Sequence, residues 1–185
     1  MTQEGFKRKL TAILSADAVG YSRLMRDDEE ATVRDIAAHR VLIQIDIKTG
    51  VGRTGLLCRI NIRGTVVTFI NVHFDHGEEA KQIQNVIQWL EVVTSPVCIL
   101  GDLNLGPDDP LLQPLKERLS DSCQLAQTRL SEEAIMKGSL LKGDMRVDYI
   151  WIEPQFFTVQ EAGLIAEPHR KVSDHIGYFA DVLLT

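Results

Sequence analysis

The sequence predicts a fold of mixed α and β class, with strands and helices alternating early and strands clustering late. Three observations predict it. Short apolar runs end at Gly, Pro or Asp, as strands buried in a sheet do. One longer segment, Glu78 to Val93, carries an apolar stripe of helical period. The composition, 44% hydrophobic and 25% charged, supports a packed core and excludes a disordered chain. At 185 residues the chain is one domain, or one domain with an appended segment, and it can bury a core without disulfide or metal staples. No apolar stretch reaches membrane-spanning length, so no membrane span is expected.

The elements follow in order. Leu10 to Val19 reads as a buried strand ended by Gly20. The basic run Lys7-Arg8-Lys9 before it faintly mimics a targeting signal, but the apolar part is short and stops at Asp17. Asp27, Asp28, Glu29 and Glu30 then open a helix that closes near His39-Arg40, acids first and bases last to suit the helix dipole. Ile43 to Ile47 is a strand. Thr49 to Gly55 is a glycine-rich turn that lacks the lysine and spacing of a phosphate-binding loop. Leu56 to Ile62 and Thr65 to Val72 form a hairpin about Arg63-Gly64. In the helix Glu78 to Val93, the stripe is Ala80, Ile83, Val86, Ile87, Leu90 and Val93. Val97 to Leu100 is fully apolar, as in a sheet buried on both faces. Gly106 to Pro110 turns into a short helix near Leu115 to Leu119, and Ser131 to Lys142 reads as a polar loop. Arg146 to Ile152, Phe157 to Ala162 and Tyr178 to Leu184 are strands.

Net charge is −6. All of it lies after Ile43, since the seven basic and seven acidic residues up to there cancel. Such a domain repels a phosphate backbone, which disfavours non-specific binding of long duplex DNA, and it suits a divalent cation held in carboxylates. Cys58, Cys98 and Cys123 have no paired spacing and read as reduced thiols, which points to the cytoplasm.

The chemistry-bearing residues stand at strand ends. One strand runs into His73, and another into Gly101-Asp102-Leu103-Asn104. Asp148 interrupts an apolar strand, and Ser173-Asp174-His175 precedes the last strand. Residues just past strand ends collect at one edge of a sheet and build sites there. Each also has a plain reading. His73 could cap a strand, Asp102 and Asn104 could shape a turn, and Asp174-His175 could be a surface pair. Asp148 is harder to dismiss, because a buried carboxylate needs a partner and a histidine is a natural one.

Taken in order, Asn71-Val72-His73, Gly101-Asp102-Leu103-Asn104, Arg146-Val147-Asp148-Tyr149 and Ser173-Asp174-His175 resemble the endonuclease/exonuclease/phosphatase family of metal-dependent phosphoesterases. The likeness runs from Gly55 to Thr185, with Leu103 where the family commonly has Phe. It implies an αββα sandwich, here partial, of mixed β-sheet with flanking helices. It implies catalytic roles for His73, Asp102, Asn104, Asp148 and His175. Asp102 would orient or deprotonate the attacking water, and Asn104 would fix that water or a phosphate oxygen. His175 would bind the scissile phosphate with Asp148 holding its ring, and His73 would serve the leaving oxygen. It implies Mg2+ or Mn2+ near Asp174, Asp102 and Asn104. The substrate would be a phosphate ester of nucleic acid, nucleotide, inositol phosphate or lipid headgroup.

Lys9 to Met25, with the acidic helix start and Ala38-His39-Arg40, resembles instead the opening of a class III adenylate or guanylate cyclase domain, in which Asp17 would bind metal. The two likenesses meet near residues 43 to 50, which suggests a cyclase-like segment 1–43 and a phosphoesterase-like domain 44–185. The early asparagine and metal-anchoring glutamate of the phosphoesterase family have no counterpart in context. The expected function is therefore a metal-dependent phosphoesterase impaired by that loss. The alternatives are an inactive, chimeric interaction domain and, more weakly, a cyclase fragment. A sheet face left uncovered would favour a homodimer.

Overall fold

A computed structural model describes residues 41–48, 54–130, 135, 138–140, 145–165 and 175–185. The expected strand 10–19 and helix 27–40 lie outside the described residues, as do Asp17, Asp174 and most of the loop 131–142.

The first three strands, β1 (Val41–Lys48), β2 (Thr54–Ile62) and β3 (Thr65–His73), form an antiparallel meander, turning at Arg63-Gly64 as expected. There Gly64 takes a positive φ and its N–H is held by Asn61 Oδ1. Helix α1 (Glu79–Val92) returns the chain so that β4 (Val97–Asp102) lies parallel to β3. The chain continues through a 3-10 turn (Pro110–Leu112), α2 (Gln113–Lys116), β5 (Ser120–Asp121), α3 (Ser122–Leu125) and β6 (Thr128–Leu130). It ends with β7 (Asp148–Ile152), β8 (Phe157–Leu164) and β9 (Tyr178–Leu184). One sheet has the order β1-β2-β3-β4-β7-β5, and a second has β6-β8-β9.

Two apolar layers enclose β4. Ile70, Val72, Ile99, Tyr149 and Trp151 pack with Ile83, Val86 and Leu90 of α1. On the other face Val67, Cys98, Leu100, Ile150 and Ile152 meet Val159, Ala162 and Ala180 of the second sheet. The result is helix on sheet on sheet, the mixed class expected. Helix α1 has Glu78 at its N-cap, with no side-chain capping bond. Each buried apolar side chain contributes ~1.5–3 kcal/mol, so its three outweigh a missing cap of about 1 kcal/mol.

Several details differ from the sequence reading. Ala80 is exposed and Gln82 is buried instead, because the Gln82 carboxamide accepts the Asp75 N–H at 2.8 Å and ties the helix start to the end of β3. The short helix near Leu115 to Leu119 starts earlier, since Asp109 Oδ1 caps the Leu111 N–H and Pro110 opens the turn. The strand expected from Arg146 starts at Asp148, because Arg146 is turned into an ion pair and the Val147 carbonyl serves Leu103 N–H. β5, α3 and β6 are too short to show a period and were not expected.

Candidate active site

The site grows out of strand register. In the parallel pair, His73 at the end of β3 stands opposite Asp102 at the end of β4. In the antiparallel pair, Asp102 stands opposite Asp148 at the start of β7. Three candidate residues thus form one row at one edge of the sheet, where α/β folds collect ligands. Reaching that edge requires Gly101. Its φ is +128°, and a Cβ there would lie 1.9 Å from the Val72 carbonyl oxygen. No side chain fits, so the Gly-Asp step is a geometric requirement.

After Asp102 the chain turns sharply. Asp102 Oδ1 accepts the Asn104 N–H at 2.8 Å, and Asn104 adopts a φ of +51°, a conformation that asparagine tolerates. Asn104 Nδ2 donates to the Phe74 carbonyl at 2.6 Å, pinning this turn to the one that follows β3. The turn-shaping reading of these two residues therefore holds, and it leaves Asp102 Oδ2 as the oxygen turned toward the histidines. His73 Nε2 lies 3.3 Å from it and His175 Nε2 3.8 Å.

The other side of the His175 ring is anchored. His175 Nδ1 lies 2.7 Å from Asp148 Oδ2, which also accepts the Ser139 hydroxyl at 2.5 Å. Asp148 thus has the histidine partner its sequence context called for. The structure brings His73, Asp102, Asn104, Asp148 and His175 together, whereas Asp174 lies outside the described residues. Burial pushes the Asp102 carboxyl above its ordinary range. The Asn104 N–H works against that shift, the Asp148 charge adds to it, and the two histidines oppose it. Sequence reasoning missed Ser139, which sits in a stretch read as loop; its only signal was the preceding Gly138.

The family's divalent cation can be tested against these donors. One ligand atom each from Asp102, Asp148 and His175 falls within 4.8 Å of the others. Asp148 Oδ2 is bonded to His175 and Ser139, and Asp102 Oδ1 to the Asn104 N–H, so Asp102 Oδ2, facing the two histidines, is a candidate cation ligand. An Asp102 carboxylate with the Asp148 carboxylate beside it offers the hard oxygen donors that Mg2+ or Mn2+ takes.

A family model for the endonuclease/exonuclease/phosphatase family matches residues 4–175. The chain belongs to that family. Members of the endonuclease/exonuclease/phosphatase family are hydrolases acting on phosphate esters. Solved structures agree in fold. The endonuclease/exonuclease/phosphatase from Bacteroides vulgatus matches with a TM-score of 0.69 and 16% identity, over 80% of this chain and 67% of that one. A mannosyl-6-phosphatase from Bacteroides thetaiotaomicron VPI-5482 gives 0.65 and 16%, over 78% and 67%. TDP2 of D. rerio, complexed with a single-strand DNA product, gives 0.63 and 15%, over 80% and 70%. A further likeness is short: 32 residues are 62% identical to "Putative adenylate cyclase 3" of Rhizobium meliloti (strain 1021). They are 17% of this chain, which spans 6% of that relative's length. No helix among the described residues is long and apolar enough to cross a membrane.

Proposed function

We propose that this chain is a divalent-metal-dependent hydrolase of phosphate mono- or diesters, acting at the sheet edge formed by His73, Asp102, Asn104, Asp148 and His175. One observation carries the reading. Two imidazole Nε2 atoms converge on a single oxygen, Asp102 Oδ2, while the second ring is fixed from behind by Asp148.

Asp102 Oδ2, at the centre of that convergence, accepts a proton from the attacking water or orients it. Asn104, tied to Phe74, sets the lip on which that water or a phosphate oxygen rests. Protonated on both ring nitrogens, His175 donates from Nε2 to a phosphoryl oxygen, and Asp148 beside Nδ1 stabilises the imidazolium charge. His73, side chain 46% exposed, reaches outward to the leaving oxygen. Asp102, Asn104 and Asp174 would hold Mg2+ or Mn2+, which supplies Lewis-acid stabilisation of phosphoryl charge. The phosphatase and the DNA-bound TDP2 among the structural neighbours support a phosphate-ester substrate, and nucleic acid, nucleotide, inositol phosphate and lipid headgroup are the classes proposed.

The test is hydrolysis of p-nitrophenyl phosphate and bis-p-nitrophenyl phosphate. Release of nitrophenolate with Mg2+ or Mn2+, lost in chelator, is the expected result. Equal background rates in the wild type and in Asp102→Ala would sink the reading and favour an inactive interaction domain. The division into segments 1–43 and 44–185 belongs to the same proposal, with the short cyclase likeness as its support. A cyclase activity is the weaker alternative, checked by cyclic nucleotide formation. The three free cysteines support a cytoplasmic setting. A homodimer would show as twice the monomer mass in size exclusion with light scattering.

A further inference from the structure

We infer that Ser139 is a positioning residue for the Asp148–His175 pair, holding both members at once; this rests on the hydrolytic reading above. Ser139 is 1% exposed. Its hydroxyl donates to Asp148 Oδ2 at 2.5 Å and accepts the N–H groups of Val147 and Asp148, each at 3.2 Å. A hydroxyl has one hydrogen and two lone pairs, so every bonding position is used. The Ser139 carbonyl accepts the Ile176 N–H at 2.7 Å, and Leu140 pairs with His175 in an isolated antiparallel bridge. One short strap therefore grips the start of β7 by a hydroxyl and the approach to β9 by its backbone.

The entry to the strap is made for this. Gly138 has a φ of +130°, and a Cβ there would lie 2.4 Å from the Met145 carbonyl. That conformation and that contact both exclude a side chain. A serine that merely satisfied the two N–H groups would need only its lone pairs. The hydroxyl hydrogen instead goes to Oδ2, the same oxygen that meets His175 Nδ1. Two donors on one oxygen fix the carboxylate rotamer and aim Oδ2 at the ring. The ring then carries its proton on Nδ1 and presents Nε2 toward Asp102.

Removing the hydroxyl should free the carboxylate to turn and the ring to change tautomer. Ser139→Ala should lower kcat about 10- to 100-fold, the usual cost of losing an outer partner of a working histidine, with KM little changed. Ser139→Thr, which keeps the hydroxyl, should recover most of that loss. In an Asp148→Asn background the Ser139→Ala loss should largely vanish, which a generally structural role would not produce. Nitrogen-15 NMR of the neutral His175 ring should show the Nδ1–H form in wild type and a mixture in Ser139→Ala. Circular dichroism and thermal melting establish that each variant is folded. If Ser139→Ala is not, Ser139→Cys, a poorer donor of similar size, carries the same measurements. A folded variant with unchanged kcat, or an unchanged His175 tautomer, overturns the inference. A tautomer change in a chain that hydrolyses nothing upholds Ser139 as the positioning residue and removes only the hydrolytic reading.

Discussion

Two ionic clusters lean on β7, and they are built to opposite ends. Asp121 of β5, paired with Trp151 of β7, accepts from Arg146 Nη1 at 2.6 Å and Nη2 at 2.9 Å. The guanidinium lies between the Tyr149 and Tyr178 rings, 4.6 and 5.0 Å from their centres. Both charged side chains are almost wholly buried, at 6% and 3% exposure. Burial pulls the guanidinium toward neutrality, yet the bonds from Asp121 outweigh it and hold it charged. Among the described residues Arg146 Nε has no hydrogen-bond partner, which carries a desolvation cost. The Asp102 cluster differs. It has two histidines for one carboxylate oxygen, longer distances, and side-chain exposures of 46% for His73 and 27% for His175. The first pair is closed and buried, whereas the second stands at an accessible edge of the sheet. Charge alone does not mark a candidate site; titratable groups gathered at an accessible edge do.

The largest expected difference between the clusters is in activity. Asp102→Ala or His175→Ala should reduce kcat roughly 10^3- to 10^4-fold while shifting the melting temperature little, read by initial rates and thermal melting. Next in size is stability. Asp121→Ala should destabilise the fold by about 3–5 kcal/mol, the usual cost of stranding a buried charge, read by urea unfolding. The paired change Asp121→Leu with Arg146→Met should recover much of that loss. An Asp121→Ala variant of native stability would break the comparison.

Two smaller effects sharpen it. Burial pushes the Cys98 thiol up to about 12 and raises Cys123 as well. The half-buried Cys58 is also raised, by burial alone. Iodoacetamide should therefore modify native Cys58 first, and Cys98 only on unfolding, as peptide mass mapping would show. The smallest effect concerns Asp102 in chelator. Its raised folded-state pKa means that the folded chain holds this proton more tightly than the unfolded one. Stability should thus fall as pH rises from the ordinary carboxylate range through the Asp102 pKa. Asp102→Asn should flatten that slope, measured as melting temperature against pH.

Much of this arrangement could be read from the chain. The hairpin about Arg63-Gly64, the helix from Glu79 and the apolar β4 each announce themselves by local period or turn chemistry. His73, Asp102 and Asp148 were legible because each ends or begins a strand, and sheet register then aligns them in a row, while Asn104 and His175 were legible from the short motifs around them. The Asp121–Arg146 pair was not, since its partners stand 25 residues apart and nothing local to either implies the other. Ser139 was hidden for a related reason. A serine in a polar stretch looks the same whether its hydroxyl meets water or a carboxylate. Gln82 shows the converse, a polar residue inside the helix because a distant turn needed its carboxamide.

β4 contributes Val97 and Ile99 to the layer beneath the helix, and Cys98 and Leu100 to the layer between the sheets. Its last residue is Asp102. The Asp102 carboxylate is thus mounted on a beam clamped from above and below, and slack on either side would be felt at its tip. Under the proposed hydrolysis, altering which esters are accepted is a task for the surrounding loops, because the beam itself is buried on both faces.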